Sequence, residues 1–468
     1  DMNKFEKFLF KKIEVWVILI FLIIVFFTTV FYGHLVFDHY HNNKIFKNKF
    51  HRYLVWSSEI PTKLKKYFEY KDSFEGISYG TPSGKSLNYN NKPRFKRYAP
   101  AKKNNELLAL SIYDFNKRHG VVDIIDLNNF KKIFSYNHDP LKYRDYIKNF
   151  KEFNISRLKD SATEGRTFYK HPLILENGDM IAHNWGLLFR INLCGEPVWI
   201  NDDDEYGHSI MKDHEGNIWV GSDKKPYSQT VLEKLPNYSE YHEGAINKID
   251  VKSGKTLFSK SVAELVIENS IAGDDIFASE DPFHDNDIEP ALYDSEYFKK
   301  GDLFISIRNK NVVVQYDYKK NKVLRSIRGP ISSFHDPDII SNEEISIFNN
   351  NQVPNTKEFS EILIYNLRTN KFKKIHNKIL ESMNFKSYNN GLADFSKKGS
   401  ILIEETNGGR LLFFNSDGLE WEFINIDENN EKRPVYAIFW SRLITDESLV
   451  EKLKYEYKNF KKKKCTNY

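Results

Sequence analysis

The sequence predicts an all-β fold, a six-bladed β-propeller preceded by a single N-terminal transmembrane helix and a stalk. Three observations support this prediction. Six copies of a strand, a polar turn and a returning strand recur along the chain, most copies have a histidine ahead of them, and one long apolar segment lies near the N-terminus. A unit of this size cannot bury both faces alone, so repetition favours a radial array in which neighbouring units cover each other.

The apolar segment covers residues 15–32 and continues to residue 37. A helix of about 20 such residues crosses a hydrocarbon layer of ~30 Å. Bulky residues rather than small ones follow the segment, so we expect an uncleaved anchor in residues 1–38 instead of a secretory signal. Because a long domain translocates largely regardless of flanking charge, we expect a single-pass inner-membrane protein with its propeller on the periplasmic or another extracytoplasmic side.

Residues 39–104 are predicted to form a stalk rich in lysine, asparagine and aromatic residues, with an amphipathic piece at 60–70. Within it, residues 80–86 resemble a phosphate-binding loop. Only three residues separate the two glycines, however, where that loop requires four, so we do not predict a nucleotide site.

Residues 105–445 are predicted to form the propeller, because short runs of alternating polarity are separated there by Gly, Asn and Asp turns. The six polar turns lie at residues 126–131, 192–195, 250–255, 317–322, 366–371 and 415–418. The first copy lacks a lead strand, and we expect residues 435–444 to supply it and close the ring. Residues 446–468 are predicted to form a charged tail with a short helix at 446–460 outside the ring.

Composition excludes some functions. The chain has 468 residues and a net charge of +5, and its basic residues are spread along it rather than gathered on one element, so we predict no nucleic-acid partner. Two cysteines, Cys194 and Cys465, are too few for a disulfide framework. A bridge between them is compatible with the sequence, but nothing in the sequence supports it.

Four histidines lie where the first strands of their copies are predicted to begin, and Asn390 takes this place in the sixth copy. They are His171, His208, His284 and His335. Because the first strand of each blade lines the axis of a propeller, we expect these imidazoles at equivalent positions around one end of a central channel. Three histidines could bind zinc, but a neighbouring arginine repels cations, so we predict no metal and no cofactor.

That arginine is Arg308, which falls inside an apolar, alternating run predicted to be a strand. A buried guanidinium requires an anionic partner. One interpretation is an ion pair in the core with Asp285, Asp287 or Glu289. The other is an anion bound on the axis by two parallel hydrogen bonds.

These motifs together resemble those of the bacterial arylsulfotransferase family, six-bladed propellers that act without the nucleotide sulfate donor PAPS. The resemblance covers roughly residues 105–445. It is carried by the motifs GH at 207–208, FHDNDIEP at 283–290, GDLFISIRN at 301–309, RGPISSFHDPDIISNEEISIFNN at 328–350 and TNGGRLLFFNSDGLEWEF at 406–423. It implies that His335 receives the sulfuryl group, that His208, His284 and Arg308 surround the sulfuryl oxygens, and that Asn286 hydrogen-bonds nearby. His171 has no role that the family implies, and we place it among the substrate-binding candidates.

Two functions stay open. The first is transfer of a sulfuryl group from an aryl sulfate to a phenol through a sulfo-histidine. The second is a catalytically inert propeller that serves as a binding or assembly module of an extracytoplasmic membrane complex. The acids Asp285, Asp287 and Asp336 favour the second, because they are expected to raise the histidine pKa values and weaken the nucleophile. A quinone-dependent dehydrogenase is a more distant alternative, because no repeated tryptophan signature is present.

Overall fold

The computed structural model describes residues 14–41, 53–54, 57, 60, 92–99, 105–117, 119–140, 143, 168–234, 241–271, 281–352, 359–388, 390–396, 398–429, 434–460 and 465. Residues 80–86 and nearly all of the predicted amphipathic piece lie outside this set. The chain divides into two compact units, residues 1–72 with 270–278 and residues 73–269 with 279–468. The four predicted domain boundaries stay predictions.

The first unit contains helix α1, Val15–His41. Its segment Val15–Val36 has a mean hydropathy of 2.8, and within the described residues it is the one helix long and apolar enough to cross a membrane. The hydroxyls of Thr28 and Thr29 donate to the carbonyls of Ile24 and Val25, one turn earlier, so their polarity is satisfied inside the helix. By length and composition α1 is a candidate membrane anchor, and its orientation stays a prediction.

The second unit is built mainly from antiparallel strands. In chain order the strands found among the described residues are β1 Phe95–Arg97, β2 Leu107–Asp114, β3 His119–Asp126, β4 Lys131–Tyr136, β5 Lys170–Ile174, β6 Met180–His183, β7 Gly186–Ile191, β8 Pro197–Lys212, β9 Ile218–Asp223, β10 Gly244–Ile249, β11 Thr256–Ser261, β12 Asp285–Pro290, β13 Leu303–Ile307, β14 Val312–Asp317, β15 Lys322–Ile327, β16 His335–Ile339, β17 Glu344–Asn349, β18 Glu361–Asn366, β19 Lys371–Ile375, β20 Leu392–Phe395, β21 Ile401–Glu405, β22 Arg410–Asn415, β23 Gly418–Ile424 and β24 Arg442–Ile444. The helices that the described residues of this unit form are α2 Gln229–Lys234, α3 Val262–Glu268, α4 Asn377–Ser382 and α5 Glu447–Phe460, with short 3-10 helices at Arg308–Lys310 and Thr406–Gly408.

The strands form five sheets within the described residues, in the orders β24-β2-β3-β4, β5 to β11 consecutively, β12 to β15, β16 to β19, and β20-β21-β22-β23-β1. The arrangement is all-β and propeller-like, as predicted. The predicted count of six blades is not confirmed, because β8 is a single strand of 16 residues. Its first part pairs with β7 and its last part with β9, so two of the predicted repeats share one seven-stranded sheet.

The innermost strands of successive sheets contact one another from β5 through β8, β12 and β16 to β20, and β24 contacts β5. Carboxylates join several of these strands. The Oδ2 atoms of Asp287 and Asp336 accept hydrogen bonds from the backbone N–H groups of Asp336 and Ala393, at 2.7 and 2.6 Å. In the same way Oδ2 of Asp394 accepts from the N–H of Leu443 at 2.8 Å, which links β20 to β24. Acidic side chains therefore hold the inner strands together around the axis.

Strand β24 closes the first sheet, which confirms the expected role of residues 435–444. Leu107 of β2 pairs with Ile444, and Ala109 pairs with Arg442. An isolated bridge between Ile112 and Ile438 continues this pairing. The sheet that contains β2, β3 and β4 thus receives its innermost strand from the far end of the chain, and the edge of β2 is covered.

Two segments belong to the propeller-like unit although the sequence analysis placed them outside it. Strand β1 lies in the predicted stalk, yet it pairs with β23, and Phe95 stacks on Phe130 at 4.5 Å between ring centroids. Helix α5 was expected outside the ring. Its apolar face, Val450, Leu453 and Tyr457, is instead buried in a core cluster with residues of β2 to β7.

A disulfide joins Cys194 to Cys465. Cys194 lies in the turn between β7 and β8, and Cys465 follows α5, so the bridge fixes the C-terminal segment to a hairpin 271 residues earlier. The sequence placed Cys194 in a predicted turn but did not support this pairing, because the docking of α5 that precedes Cys465 could not be derived from it.

Candidate functional site

The innermost strands begin with irregular register. The bulges lie between Lys170 and Leu173 in β5, Gly207 and Ile210 in β8, Asp285 and Ile288 in β12, and His335 and Asp338 in β16. His171 and His208 fall inside a bulge, His335 pairs directly with Phe348, and His284 precedes its strand. The four histidines are therefore not equivalent in register, because the four strands share the same bulge but the histidines hold different positions relative to it. His335 lies one position and His284 two positions earlier than His171 and His208 do.

The four histidines nevertheless lie close together. The ring centroids of His208 and His284 are 5.3 Å apart. The indole of Trp440 faces the other rings, with centroid distances of 5.5 Å to His171, 6.5 Å to His208 and 6.1 Å to His335. Trp440 is fully buried, and its Nε1 has no hydrogen-bond partner among the described residues. The sequence analysis missed it, since it lies in the closing segment, where no histidine marks the repeat.

His335 is fully buried and held in one orientation. Its Nδ1 lies 2.7 Å from Oδ1 of Asn350, and Nδ2 of Asn350 donates to the carbonyls of Ser387 and Asn390. The amide orientation leaves Oδ1 as acceptor, so Nδ1 of His335 carries the proton and Nε2 carries the lone pair. Nε2 is buried without a hydrogen-bond partner in the described residues. A neutral, oriented imidazole with one free nitrogen is the arrangement a nucleophilic histidine requires.

Burial and, after it, neighbouring positive charge keep the imidazoles of His335 and His208 neutral. Burial lowers the pKa of His335 well below its usual value, and Arg308, Lys170 and His284 lower it further, against a smaller opposing effect of the Asn350 hydrogen bond. Desolvation also lowers the pKa of His208, and the positive charge of Lys170 is the next largest cause that lowers it. The expectation that neighbouring acids raise the histidine pKa values is thus wrong for these two residues, because desolvation and nearby cations outweigh the carboxylates.

The acids themselves favour their neutral forms. Burial raises the pKa of Asp285 and Asp336 well above the usual range and raises that of Asp287 to about 7. Each of the three lies on an innermost strand and is buried. The negative charge that the sequence places beside the histidines is therefore reduced in the folded protein.

Arg308 does not lie in a strand, contrary to the sequence prediction. Strand β13 ends at Ile307, and Arg308 begins a 3-10 turn that ends at Asn311, whose φ of 47° is left-handed. The guanidinium is therefore only partly buried. It lies near enough to act electrostatically on His335 and on Asp281. Its predicted pairing, with a core carboxylate or with a bound anion, stays a prediction.

The remaining predicted residues have distinct contacts. Nδ1 of His284 is hydrogen-bonded to Oδ2 of Asp281. Nδ2 of Asn286 donates to the carbonyl of Phe334 at 3.0 Å, and its buried Oδ1 has no partner among the described residues. Nδ1 of His171 accepts the backbone N–H of Ile210 at 3.1 Å, so one nitrogen of this ring supports the neighbouring strand.

Lys170 is a site residue that the sequence analysis did not single out. It is 2% exposed, and its Nζ lies 2.9 Å from Oδ1 of Asn390. The same nitrogen lies 4.3 Å from the ring centroid of Trp440 and 4.6 Å from that of Trp185. Burial lowers the pKa of Lys170 to about 7, against the opposing charges of Asp287 and Glu404. Its position directly before His171 was the only available signal.

A cavity of about 260 Å³ opens beside His208 and His284. Trp185 and Tyr206 supply aromatic walls, and carboxylates supply much of the polar lining. The lining residues are Trp185, Glu205, Tyr206, Gly207, His208, Ser222, Asp223, His242, Gly244, Asp281, His284 and Asp285. The cavity therefore offers room and aromatic contact for a ring next to the histidine cluster.

The fold and the site define a propeller-like protein whose inner strands carry a buried histidine cluster with nearby cations. The chain belongs to the arylsulfotransferase family, since the family model described as arylsulfotransferase (ASST) matches residues 171–425, more than half of the chain. The matched region begins at His171 and includes His208, His284, Arg308 and His335, whereas Lys170 and Trp440 lie outside it. No curated protein is a significant match to the chain.

Among solved structures, a protein of unknown function from Bacteroides caccae is 13% identical, with a TM-score of 0.41, over 68% of this chain and 92% of that one. A catalytically inactive variant of virginiamycin B lyase from Staphylococcus aureus, solved with quinupristin, is 11% identical, with a TM-score of 0.37, over 70% of this chain and 88% of that one. The hydrazine synthase of Kuenenia stuttgartiensis is 12% identical, with a TM-score of 0.36, over 64% of this chain and 71% of that one.

Proposed function

We propose that this protein is a membrane-anchored arylsulfotransferase that moves a sulfuryl group from an aryl sulfate to a phenol through a sulfo-histidine at His335. The observation that carries the proposal is the state of His335. It is buried, its Nδ1–H is held by Asn350, and its Nε2 lone pair has no partner among the described residues. Within a family named for sulfuryl transfer, this is the histidine best prepared for covalent catalysis.

In the first half-reaction, Nε2 of His335 forms a bond to sulfur while the bond between sulfur and the aryl oxygen breaks. The phenolate leaves with that electron pair and takes a proton from the site. Charge accumulates on the three sulfuryl oxygens, so fixed cations stabilise the transition state. Arg308 and Lys170, which both act electrostatically on His335, are the cations in range.

His284 is the candidate for the proton transfers. Its Nδ1 is bonded to the Asp281 carboxylate, and its ring lines the cavity next to His208. A histidine oriented by a carboxylate can protonate the leaving phenolate. In the second half-reaction it accepts the proton of the acceptor phenol as that oxygen attacks sulfur and the bond to His335 breaks.

The finer features of the fold belong to the same proposal. We count six blades by dividing the seven-stranded sheet within β8, near Gly207, where its pairing passes from β7 to β9. Helix α1 is the proposed anchor of an inner-membrane protein, with the propeller on the extracytoplasmic side. The disulfide between Cys194 and Cys465 supports that side, because disulfides persist in oxidising compartments.

The test uses the detergent-solubilised full chain with 4-nitrophenyl sulfate. The proposal expects multiple-turnover release of 4-nitrophenol only when an acceptor phenol is present, and a sulfuryl adduct on the peptide that carries His335 by mass spectrometry. His335→Ala should abolish both, whereas His376→Ala, a histidine outside the cluster, should retain both. A folded sample without adduct or turnover would contradict the proposal.

One observation favours the inert binding module as a second candidate. The cavity beside His208 carries the carboxylates of Glu205, Asp223 and Asp281, and negative charge opposes entry of a sulfate ester. This candidate expects a stable protein partner that co-purifies from solubilised membranes, together with no adduct at His335. A catalytically active chain that migrates as a lone monomer would count against it.

A further inference from the structure

Lys170 has surroundings that are unusual for a lysine. Its ammonium nitrogen is enclosed by the faces of two indoles, those of Trp440 and Trp185, and its one hydrogen bond within the described residues goes to the neutral amide of Asn390. Among the residues that the structure describes, no carboxylate lies within ion-pair distance of its ammonium nitrogen. Lysines are almost never fully buried unless paired, so this ammonium is short of a negative partner.

We propose that Lys170 is a further anion-binding residue of the site and that it takes up a proton when an aryl sulfate ester binds. The inference rests on the proposed sulfate-ester site, but it does not require that transfer takes place. It assigns a role to a residue that lies one position before the region matched to the family.

The geometry brings this nitrogen near His335, on whose pKa it acts. Trp440 contacts both groups, because the ammonium of Lys170 lies over its ring and the ring of His335 packs against it at a near right angle. Lys170 and His335 also hold corresponding places, since each is the last regularly paired residue before the bulge of its inner strand. An anion bound against Nε2 of His335 therefore lies in the electrostatic field of Lys170.

The charged and titratable groups around Lys170 explain why it is available. The histidines that it influences are His171, His183, His208 and His335, and the carboxylates that act on it are Asp287 and Glu404. Both carboxylates are already used by backbone N–H groups. Asp287 accepts from Asp336, and Glu404 accepts from Trp440 and Ser441 at 2.7 Å.

Proton uptake on binding follows from the difference in the pKa of Lys170 between the free and the anion-bound site. Burial lowers the pKa of Lys170 to about 7, so the lysine of the empty site is largely neutral at pH 8.5. A bound anion favours the charged form and raises this pKa. By linkage, the affinity for an aryl anion then falls by up to about tenfold for each pH unit above 7.

The experiment measures binding of benzenesulfonate, which has the aryl group and the –SO₃⁻ group but a C–S bond that cannot be transferred. Calorimetry at pH 8.5, in buffers of different ionisation enthalpy, counts the protons taken up. We expect close to one proton for the parent chain. Lys170→Arg, which is always charged, should bind without uptake. Lys170→Met should bind at least tenfold more weakly, also without uptake.

The matched control is Lys248→Arg. Lys248 is also buried near an indole, that of Trp219, but it is paired with Asp213 at 2.8 Å, so proton uptake by the Lys248→Arg variant should equal that of the parent.

Thermal melts confirm that each variant is folded. Equal uptake in parent, Lys170→Arg and Lys170→Met would overturn the inference. Failure of the parent to bind benzenesulfonate would overturn both this inference and the proposed site. Lys170-dependent uptake without a His335 adduct from an aryl sulfate would support the inference and overturn only the catalysis.

Discussion

Oδ1 of Asn350 lies 2.7 Å from Nδ1 of His335, and the amide nitrogen of Asn350 is fully used by the carbonyls of Ser387 and Asn390. Asn350 cannot turn over without losing both of those hydrogen bonds. It therefore fixes which nitrogen of His335 carries the proton, and with it the direction of the lone pair.

Replacing Asn350 tests this control of the tautomer. Asn350→Leu removes the acceptor, so a fraction of His335 should carry its proton on Nε2, and formation of the sulfo-histidine should slow by roughly 10²-fold. Single-turnover mass spectrometry with 4-nitrophenyl sulfate measures the rate. Asn350→Asp is the matched control, since it loses the same two donor bonds but keeps an acceptor for Nδ1. Equal rates in the two variants would contradict the assigned role.

Asp281 is expected to orient His284 for proton transfer. Asp281→Asn removes the carboxylate bonded to Nδ1 of His284, and turnover with a phenol acceptor should fall by about 10²-fold. The pH dependence of turnover should change as well, which a merely structural change would not produce. Asp223→Asn is the control, because Asp223 pairs with His242 at 2.8 Å on the same cavity. An equal loss in both variants would argue against a specific role of His284.

The buried carboxylate of Asp287 predicts a pH dependence of stability. Its pKa is raised to about 7 by burial, so the folded protein holds this proton more tightly than the unfolded chain. Its contribution to the free energy of unfolding is thus fully present at low pH and is lost as the pH rises from about 4 through about 7. Asp287→Asn should be less destabilising at pH 8 than at pH 5, by roughly 2 kcal/mol or more.

Denaturant unfolding at the two pH values measures this difference. Asp317→Asn provides a contrast, because the pKa of Asp317 is lowered although burial alone would raise it, chiefly by its hydrogen bonds to Lys320. Asp317 titrates below pH 5, so the change in the free energy of unfolding caused by Asp317→Asn should be the same at pH 5 and pH 8. A flat profile for Asp287→Asn as well would show that Asp287 is charged throughout.

The disulfide between Cys194 and Cys465 is expected to contribute to the stability of the folded protein. Cys465→Ser should lower the free energy of unfolding by about 2–4 kcal/mol, because the C-terminal segment is then no longer tied to the hairpin at Cys194. Cys194→Ser and the double variant should show the same loss, since all three remove one bond. Thiol labelling of the native protein under non-reducing conditions checks the bond, and rapid labelling of both cysteines would contradict it.

The sequence predicted the propeller-like class, the closing strand and the histidines, because turns, alternation and repeat spacing are local signals. It failed where short irregularities decide position. His284 and His335 stand at other positions relative to the shared bulge than His171 does, and the strand before Arg308 ends in a 3-10 turn with a left-handed Asn311. No pattern of polar and apolar residues marks either event.

Burial was the second quantity that the sequence could not supply. Acids beside the histidines suggested raised histidine pKa values, yet desolvation dominates at His335 and His208. Lys170 precedes His171 in the chain, but the sequence gives it no feature that distinguishes it from a surface lysine. In the same way, the sequence does not distinguish Trp440 from other core residues. The contact between Lys170 and Trp440 depends on the pairing of β24 with β2, which joins distant parts of the chain.

The pairing of β24 with β2 also constrains how the protein can be made. Ser441 is hydrogen-bonded to Ser111 across 330 residues, so a nascent polypeptide displays the open edge of β2 until residues 435–444 have been synthesised. Premature termination before Arg442 would leave that edge permanently exposed, and exposed edges recruit other strands. Folding of the first sheet is therefore completed only after β24 has been made.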